Sequence, residues 1–410
     1  MPGQLRLTGV ALVLLVLGFG ALTGWQVADR SSAADQVLTH SQPLDQTAAQ
    51  IYRSLADADT TAAQGFLLAG NEPQELQQKY QKDLSDAAQL LTRAAAQSVG
   101  NDQAQTSIEQ LNQQLPDYAG LVETAKTDDR QGLPLGAAYL RYASNAMQTQ
   151  LLPTAQQLGT AEQGRLDRDY GAAQSTPWAA YVLGALLLAG LGWVQLRLFR
   201  RTNRVFNPGL LSATAALLAT LAWLTAGVTS ADSALADSRT HGAAPLAVLD
   251  QAQQASIKAR TAENLNLVAR GATTQYADQW GTDVTADSQE LASAQQLAPA
   301  GATEDLQQAR DQFAQWTKDH TTADKANNSG DYDTALNETV GSGNPSAAPD
   351  YQALDDALTK AVTVEQATFQ SAAQRGKDAT GTVIWATGVL SLLGAAGVVL
   401  GVGRRLAEYR

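Results

Sequence analysis

Residues 178–228 read WAAYVLGALLLAGLGWVQLRLFRRTNRVFNPGLLSATAALLATLAWLTAGV. Two uncharged apolar runs, 178–196 and 209–228, flank a short segment carrying Arg197, Arg200, Arg201 and Arg204. Each run matches the ~20 residues that an α-helix needs to cross about 30 Å of hydrocarbon. Two similar runs lie at 8–27 and 383–402, and none of the four contains Asp, Glu, Lys, Arg or His. The pattern predicts an all-α integral membrane protein with four transmembrane helices. Trp25, Trp178, Trp193, Trp223 and Trp385 sit in or beside the runs, as an interfacial aromatic belt requires. The first run follows a weakly basic n-region and lacks a clean cleavage site, so it reads as a retained span and not a signal peptide.

Basic residues orient the chain. The segment 197–208 and the tail 403–410, with Arg404, Arg405 and Arg410, are short and basic, and such segments stay in the cytoplasm. The expected order is a cytoplasmic N-terminus (1–7), a span (8–27), an extracytoplasmic domain (28–177), a span (178–196), a cytoplasmic loop (197–208), a span (209–228), a second extracytoplasmic domain (229–382), a span (383–402) and a cytoplasmic tail (403–410). The formal net charge of −12 divides unevenly. Eight basic residues and one acid fall inside, and 20 basic and 39 acidic residues fall outside. An acidic exterior is unsuited to nucleic acid. With no cysteine, the extracytoplasmic domains have neither disulfides nor thiolate metal sites.

The two polar segments carry helical periodicity. Ala104, Ile108, Leu111, Leu115, Tyr118, Val122 and Ala125 are spaced 4-3-4-3-4-3, a coiled-coil-like seam. Leu44, Ala48, Ile51, Leu55, Ala58, Ala62 and Phe66 mark an earlier helix, stopped at Ala69-Gly70-Asn71. Leu76, Tyr80, Leu84, Ala87, Leu91 and Ala95 mark the one between. A fourth starts near Pro134, with a kink expected at Pro153, and another kink or break is expected at Pro116. The second segment repeats the plan: Tyr276, Trp280 and Val284, then Leu306, Ala309, Phe313, Trp316, His320 and Ala323, then Leu354, Leu358, Ala361 and Val364. Gly330 to Leu336 reads as a turn, an Asp cap and a helix start, and 340–350 as a loop. An offset of 201 aligns His40 with His241, Ala58 with Ala259, Thr60 with Thr261 and Gly70 with Gly271, which suggests a tandem duplication. Each half is expected to form an up-down four-helix bundle whose outer helices continue into the membrane.

No phosphate-binding loop, nucleophile elbow, zinc-protease motif or dinucleotide fingerprint is present. The chain reads as a non-enzyme with no cofactor. His40 and His241 read as solvent or capping residues and not as a metal pair, and His320 as a satisfied histidine on the apolar seam. Asp57 and Asp59 read as a solvated helix face. Arg53, Arg141 and Arg260 read as exposed charges, with contact to a carboxylate ligand as the sharper option. Ala180 with Gly184, and Gly397 with Gly401, form small-xxx-small faces for helix packing in the membrane. Spans without ionisable groups disfavour transport. The cytoplasmic arginines suit anionic lipid, with a docking patch for an acidic protein as the alternative.

The layout resembles bacterial sensory receptors with helical external domains. With two bundles, four spans and short cytoplasmic tails it further resembles the GlnX-type actinobacterial membrane sensors, in Gly-Leu-Pro-Leu-Gly-Ala-Ala-Tyr-Leu-Arg (132–141) and Leu-Leu-Pro-Thr-Ala (151–155). That resemblance implies an extracytoplasmic amino-acid-binding lipoprotein as one partner. It implies a soluble Ser/Thr kinase, protein kinase G, as the other. The alternative class is a non-enzymatic scaffold of the cell envelope. Oligomers are open on either reading.

Overall fold

The computed structural model describes residues 2–68, 72–202, 208–297, 301–343 and 346–407, without side chains at 2–6, 8, 198, 201–202, 380, 402 and 404–407. The described residues are helical, with turns and short loops between helices and no strand. In chain order they form α1 (Pro2–Gln36), a π-helical turn π1 (Val37–Ser41), α2 (Gln42–Leu67), α3 (Gln74–Gln97), α4 (Asp102–Arg130), α5 (Leu135–Ala146), π2 (Met147–Leu151) and α6 (Leu152–Ala173). There follow α7 (Trp178–Thr202), α8 (Pro208–Ser238), π3 (Arg239–Ala243), α9 (Ala244–Ala269), α10 (Gln275–Leu297), α11 (Thr303–Asn328), α12 (Tyr332–Val340) and α13 (Ala347–Ala407).

Two compact units emerge. One, which we call the apolar unit, comprises Met1–Thr39, Asp167–Asp237 and Ser371–Arg410. The other, the bundle unit, comprises His40–Leu166 and Ser238–Gln370.

In the apolar unit, helices α1, α7 and α8 and the C-terminal part of α13 enclose Phe19, Leu187, Leu191, Leu217, Leu224 and Val398. Their outer faces are apolar too: Leu186 is 64% exposed, Leu400 70% and Trp385 82%. Apolar side chains that cover a helix on all sides call for hydrocarbon around it. The four apolar helices fit a multi-pass membrane protein.

The bundle unit holds both polar segments in one body. The sequence seam of α4 is buried along its whole length, from Ala104 to Ala125. Pro116 is accommodated within α4 without interrupting it. Asn101 caps α4, its side chain accepting from the Ala104 amide, and Asp331 caps α12 through the Thr334 amide. The loop expected at 340–350 is shorter, since α13 already begins at Ala347 and takes Pro349 into its first turn. The expected stop of α2 at Ala69-Gly70-Asn71 lies outside the described residues. Its counterpart in the second half is described: Arg270 and Gly271 both have positive φ, ending α9 in the left-handed conformation.

The three π-helical turns share one sequence cause. Each closes two residues before a proline: Ser41 before Pro43, Leu151 before Pro153, Ala243 before Pro245. A proline has no N–H for the carbonyl four residues back, and its ring crowds that carbonyl. Those carbonyls belong to Thr39, Thr149 and His241, each inside a π turn. Widening the helix by one residue relieves the clash while keeping the chain helical. The kink expected at Pro153 is thus a π turn.

Candidate functional site

α2 and α9 lie at the centre of the bundle unit. From Ala58 to Ala63 every residue of α2 is buried, and so is every residue of α9 from Ala259 to Leu265. Alanine and threonine make up all of the α2 stretch but Asp59 and supply Ala259, Thr261 and Ala262 of the α9 stretch, and small side chains let two helices approach closely. Thr60 Oγ1 lies 2.5 Å from Thr261 Oγ1, and the Asn264 amide donates to the Thr60 carbonyl at 3.4 Å.

This central packing overturns the solvated reading of Asp57 and Asp59. Asp59 is 1% exposed and accepts from Tyr118 Oη at 3.1 Å and Ser144 Oγ at 2.6 Å. Burial pushes its carboxyl up to about 6, against the pull of those two bonds. Asp57 is half-buried, with Arg53 at 3.8 Å and Lys79 at 4.0 Å. Burial raises it to about 6 as well, with Lys79 pulling it down. The face of α2 that carries these acids looks polar in sequence, but neighbouring helices cover it.

Arg260 stands 201 positions after Asp59 and is also fully buried. Its guanidinium donates to Glu263 Oε2 at 2.5 Å and to the Thr339 carbonyl at 3.0 Å. Glu263 also accepts from Trp316 Nε1 at 3.0 Å, and its other oxygen lies 2.9 Å from His320 Nδ1. Burial alone would raise this carboxyl, but Arg260, His320 and Trp316 outweigh it and hold it down at about 2. His320 stacks on Trp280 with ring centroids 3.5 Å apart, so it is a satisfied seam histidine.

The arginines read as exposed are engaged. Arg53 donates to both oxygens of Asp355, at 2.6 and 2.7 Å, and to Thr359 at 3.0 Å. Arg141 donates from Nε to the Ala137 carbonyl. Arg260 sits in the buried network described above. Arg53 and Arg260 thus have terminal guanidinium nitrogens committed to partners within the bundle unit, whereas Arg141 is held only through Nε. His40 lies on π1 and His241 on π3, both exposed, and among the described residues no group of three or more metal-ligating side chains forms.

In the apolar unit, Arg30 is 2% exposed. It donates to the Ser175 carbonyl and to Asp232 Oδ1, each at 2.5 Å. Ser175 lies in the non-helical stretch 174–177 that separates α6 from α7. One turn before Arg30, Gln26 Oε1 accepts from the Ala180 amide at 3.0 Å. Two α1 side chains thus brace a helix break: Arg30 satisfies the Ser175 carbonyl, and Gln26 shares the Ala180 amide with the Pro177 carbonyl. The expectation that the fourth helix of the first half runs unbroken into its span is corrected here: Pro177 forbids the helical hydrogen bond across the junction.

Ala180 is fully buried, and a Cβ on Gly184 would strike Leu221. A Cβ on Gly397 would strike Ser212, and one on Gly209 would run into the backbone of Gly401 and the Gly397 carbonyl. Arg197 is exposed and lies over the Trp193 ring at 5.1 Å, and Arg200 is exposed. Arg204 and the side chains of Arg201, Arg404 and Arg405 lie outside the described residues.

Residues 33–171 match the family model described as an actinobacterial sensor domain. The matched stretch takes in π1 and α2 through π2, together with the end of α1 and nearly all of α6. A search of curated proteins found no match. The family match supports a sensor role and an actinobacterial setting.

Proposed function

We propose that the chain is a transmembrane sensor and signal transducer of a duplicated design. Its bundle unit reads an extracytoplasmic signal, amino-acid availability presented by a solute-binding protein, and passes it to a cytoplasmic Ser/Thr kinase. One observation carries the reading: α1, π1 and α2 follow one another without a helical gap, as do α8, π3 and α9, while α13 is a single helix of 61 residues. The match of residues 33–171 to a sensor domain supports it.

In this reading the basic segments stay in the cytoplasm and both halves of the bundle unit face outward. A partner that favours one packing of α2 against α9 shifts those helices, and the shift travels along continuous backbone. Arg197 and Arg200, with Arg201, Arg204, Arg404 and Arg405, supply the inner surface for lipid headgroups or an acidic kinase segment. No catalytic step is involved.

In vivo cross-linking from each side tests this. The expected result is a solute-binding protein captured outside and a Ser/Thr kinase inside. Capture of neither, with unchanged amino-acid responses after deletion, overturns it.

A further inference from the structure

Where α2 leaves π1 and α9 leaves π3, the bundle unit contains a cavity of about 190 Å³. Gln42, Gln46, Asp45, Asp250, Arg53 and Thr359 contribute to its wall. A cavity of ~150 Å³ takes a benzene-sized molecule. This one therefore suits a solute of that size or slightly larger.

Its polar groups are incompletely used. Gln42 is 3% exposed, yet its Nε2 has no hydrogen-bond partner. The Nε2 of Gln46, one turn on, is also buried without a partner. A buried amide donor left without an acceptor keeps its desolvation penalty uncompensated, so two in one cavity wall call for an acceptor. On the same wall Asp250 is half-buried and forms no ion pair among the described residues. Asp45 adds negative charge against it, and the base that acts on it, Arg53, is already held by Asp355 and Thr359. The wall thus presents Asp250, with the cation that acts on it spent, beside two idle N–H donors.

We propose that this cavity binds a small organic ammonium compound that also carries a hydrogen-bond acceptor, its ammonium set against Asp250 and its acceptor against Gln42 and Gln46. Seated directly above π1 and π3, such a ligand would tie α2 to α9 at the end where both helices leave the bundle unit. This deepens the sensor reading by naming a ligand class, and rests on it for the ligand's role.

Calorimetry on the full chain in lipid nanodiscs tests the proposal. Ethanolamine, glycinamide and glycine serve as probes, with acetamide and acetate as acceptors that lack an ammonium. Saturable heat is expected from at least one of the three ammonium probes and from neither control. Glycine against glycinamide tells whether the acceptor is a carboxylate or a neutral carbonyl. Asp250→Asn should weaken binding about tenfold or more, the worth of one charge-assisted hydrogen bond. Ala49→Met adds bulk to the wall without removing a polar group and should abolish the heat. The thermal midpoint of each variant shows that it is folded, and either variant alone suffices. The proposal fails if no ammonium probe gives saturable heat at millimolar concentration. It fails equally if a folded variant titrates like the parent. Cross-linking to the two partners does not depend on this heat, so a null titration with intact cross-links would remove the cavity and leave the sensor reading.

Discussion

Thr60 and Thr261 meet hydroxyl to hydroxyl at 2.5 Å, across the line where α2 and α9 pack. Thr60 Oγ1 is also 3.0 Å from the Ala56 carbonyl, and Thr261 Oγ1 is 2.9 Å from the Ile257 carbonyl. Two hydroxyl protons serve three contacts, so one of the pair always points across the seam or forgoes that bond. The two helices are joined by a bond that can change direction without breaking the packing.

The first prediction follows from that pair. Thr60→Val and Thr261→Val should each destabilise the full chain in detergent by about 1 kcal/mol, the usual net worth of one hydrogen bond. The double variant should cost clearly less than the sum, because each single change already removes the shared bond. Denaturant unfolding of the four proteins in the cycle measures the coupling, and strict additivity would refute the link.

Glu263 is the anion on which Arg260 and Trp316 depend. Glu263→Gln leaves a buried guanidinium without its counter-charge and should cost about 3–5 kcal/mol. Replacing Arg260 and Glu263 together by Met should cost much less, since no orphan charge remains. Unfolding midpoints of the single and double variants decide between these outcomes.

Acid should stabilise the bundle unit over part of the pH range. Burial holds Asp287, which lies 2.6 Å from Ser256 Oγ, up at about 7. Burial together with the charge of Asp45 does the same to Asp250. A carboxyl with a raised folded pKa binds its proton more tightly folded than unfolded. Its contribution is full below about pH 4 and is lost as the pH rises through 7. Glu263 works the other way, contributing above its unfolded pKa and failing only as the pH falls through about 2. The thermal midpoint should therefore be higher at pH 5 than at pH 8. Asp287→Asn should remove about 2–3 kcal/mol of the stability difference between those two pH values.

A fourth prediction concerns the apolar unit. Gly209 faces Gly401 and the Gly397 carbonyl with no room for a methyl group. Gly209→Ala should force α8 and α13 apart and lower the thermal midpoint in detergent. Gly190→Ala, where nothing stands within 4 Å, should leave it unchanged. Equal behaviour of the two variants would remove glycine packing as the cause.

Much of this architecture was legible in the sequence, for a physical reason. A helix with one buried face writes that face as a 4-3 pattern, and Ala104 to Val122 of α4 show it without exception. α3 shows it less cleanly: Asp83 and Ala94 are buried, whereas Leu76 and Leu84 are half-buried and Ala95 is exposed. What the pattern cannot convey is burial from two sides. α2 and α9 lie between other helices, so Asp59 and Arg260 occupy faces that a one-face reading assigns to water. The composition of α2 held a clue, since its run of Ala and Thr suits close approach on every side. The π turns had a signal as well, in Pro43 and Pro245, but proline alone does not say whether a helix kinks, ends or widens. Pro116 makes the point, since α4 passes through it without ending or widening. The Arg30 clamp was not foreseeable, because its acceptors are 145 and 202 residues away in the chain.

The unequal struts of the two halves have a consequence for how the chain tolerates insertion and deletion. Each residue added to a straight α-helix turns everything beyond it by ~100°. α13 carries no wide turn, so losing one residue anywhere along it would swing its lower half onto a wrong face. α1 with α2, and α8 with α9, each hold a spare residue in π1 and π3 that can be taken up or given back. Two of the rods are therefore vernier joints, adjustable by one residue's phase, and α13 is the fixed scale against which they are set.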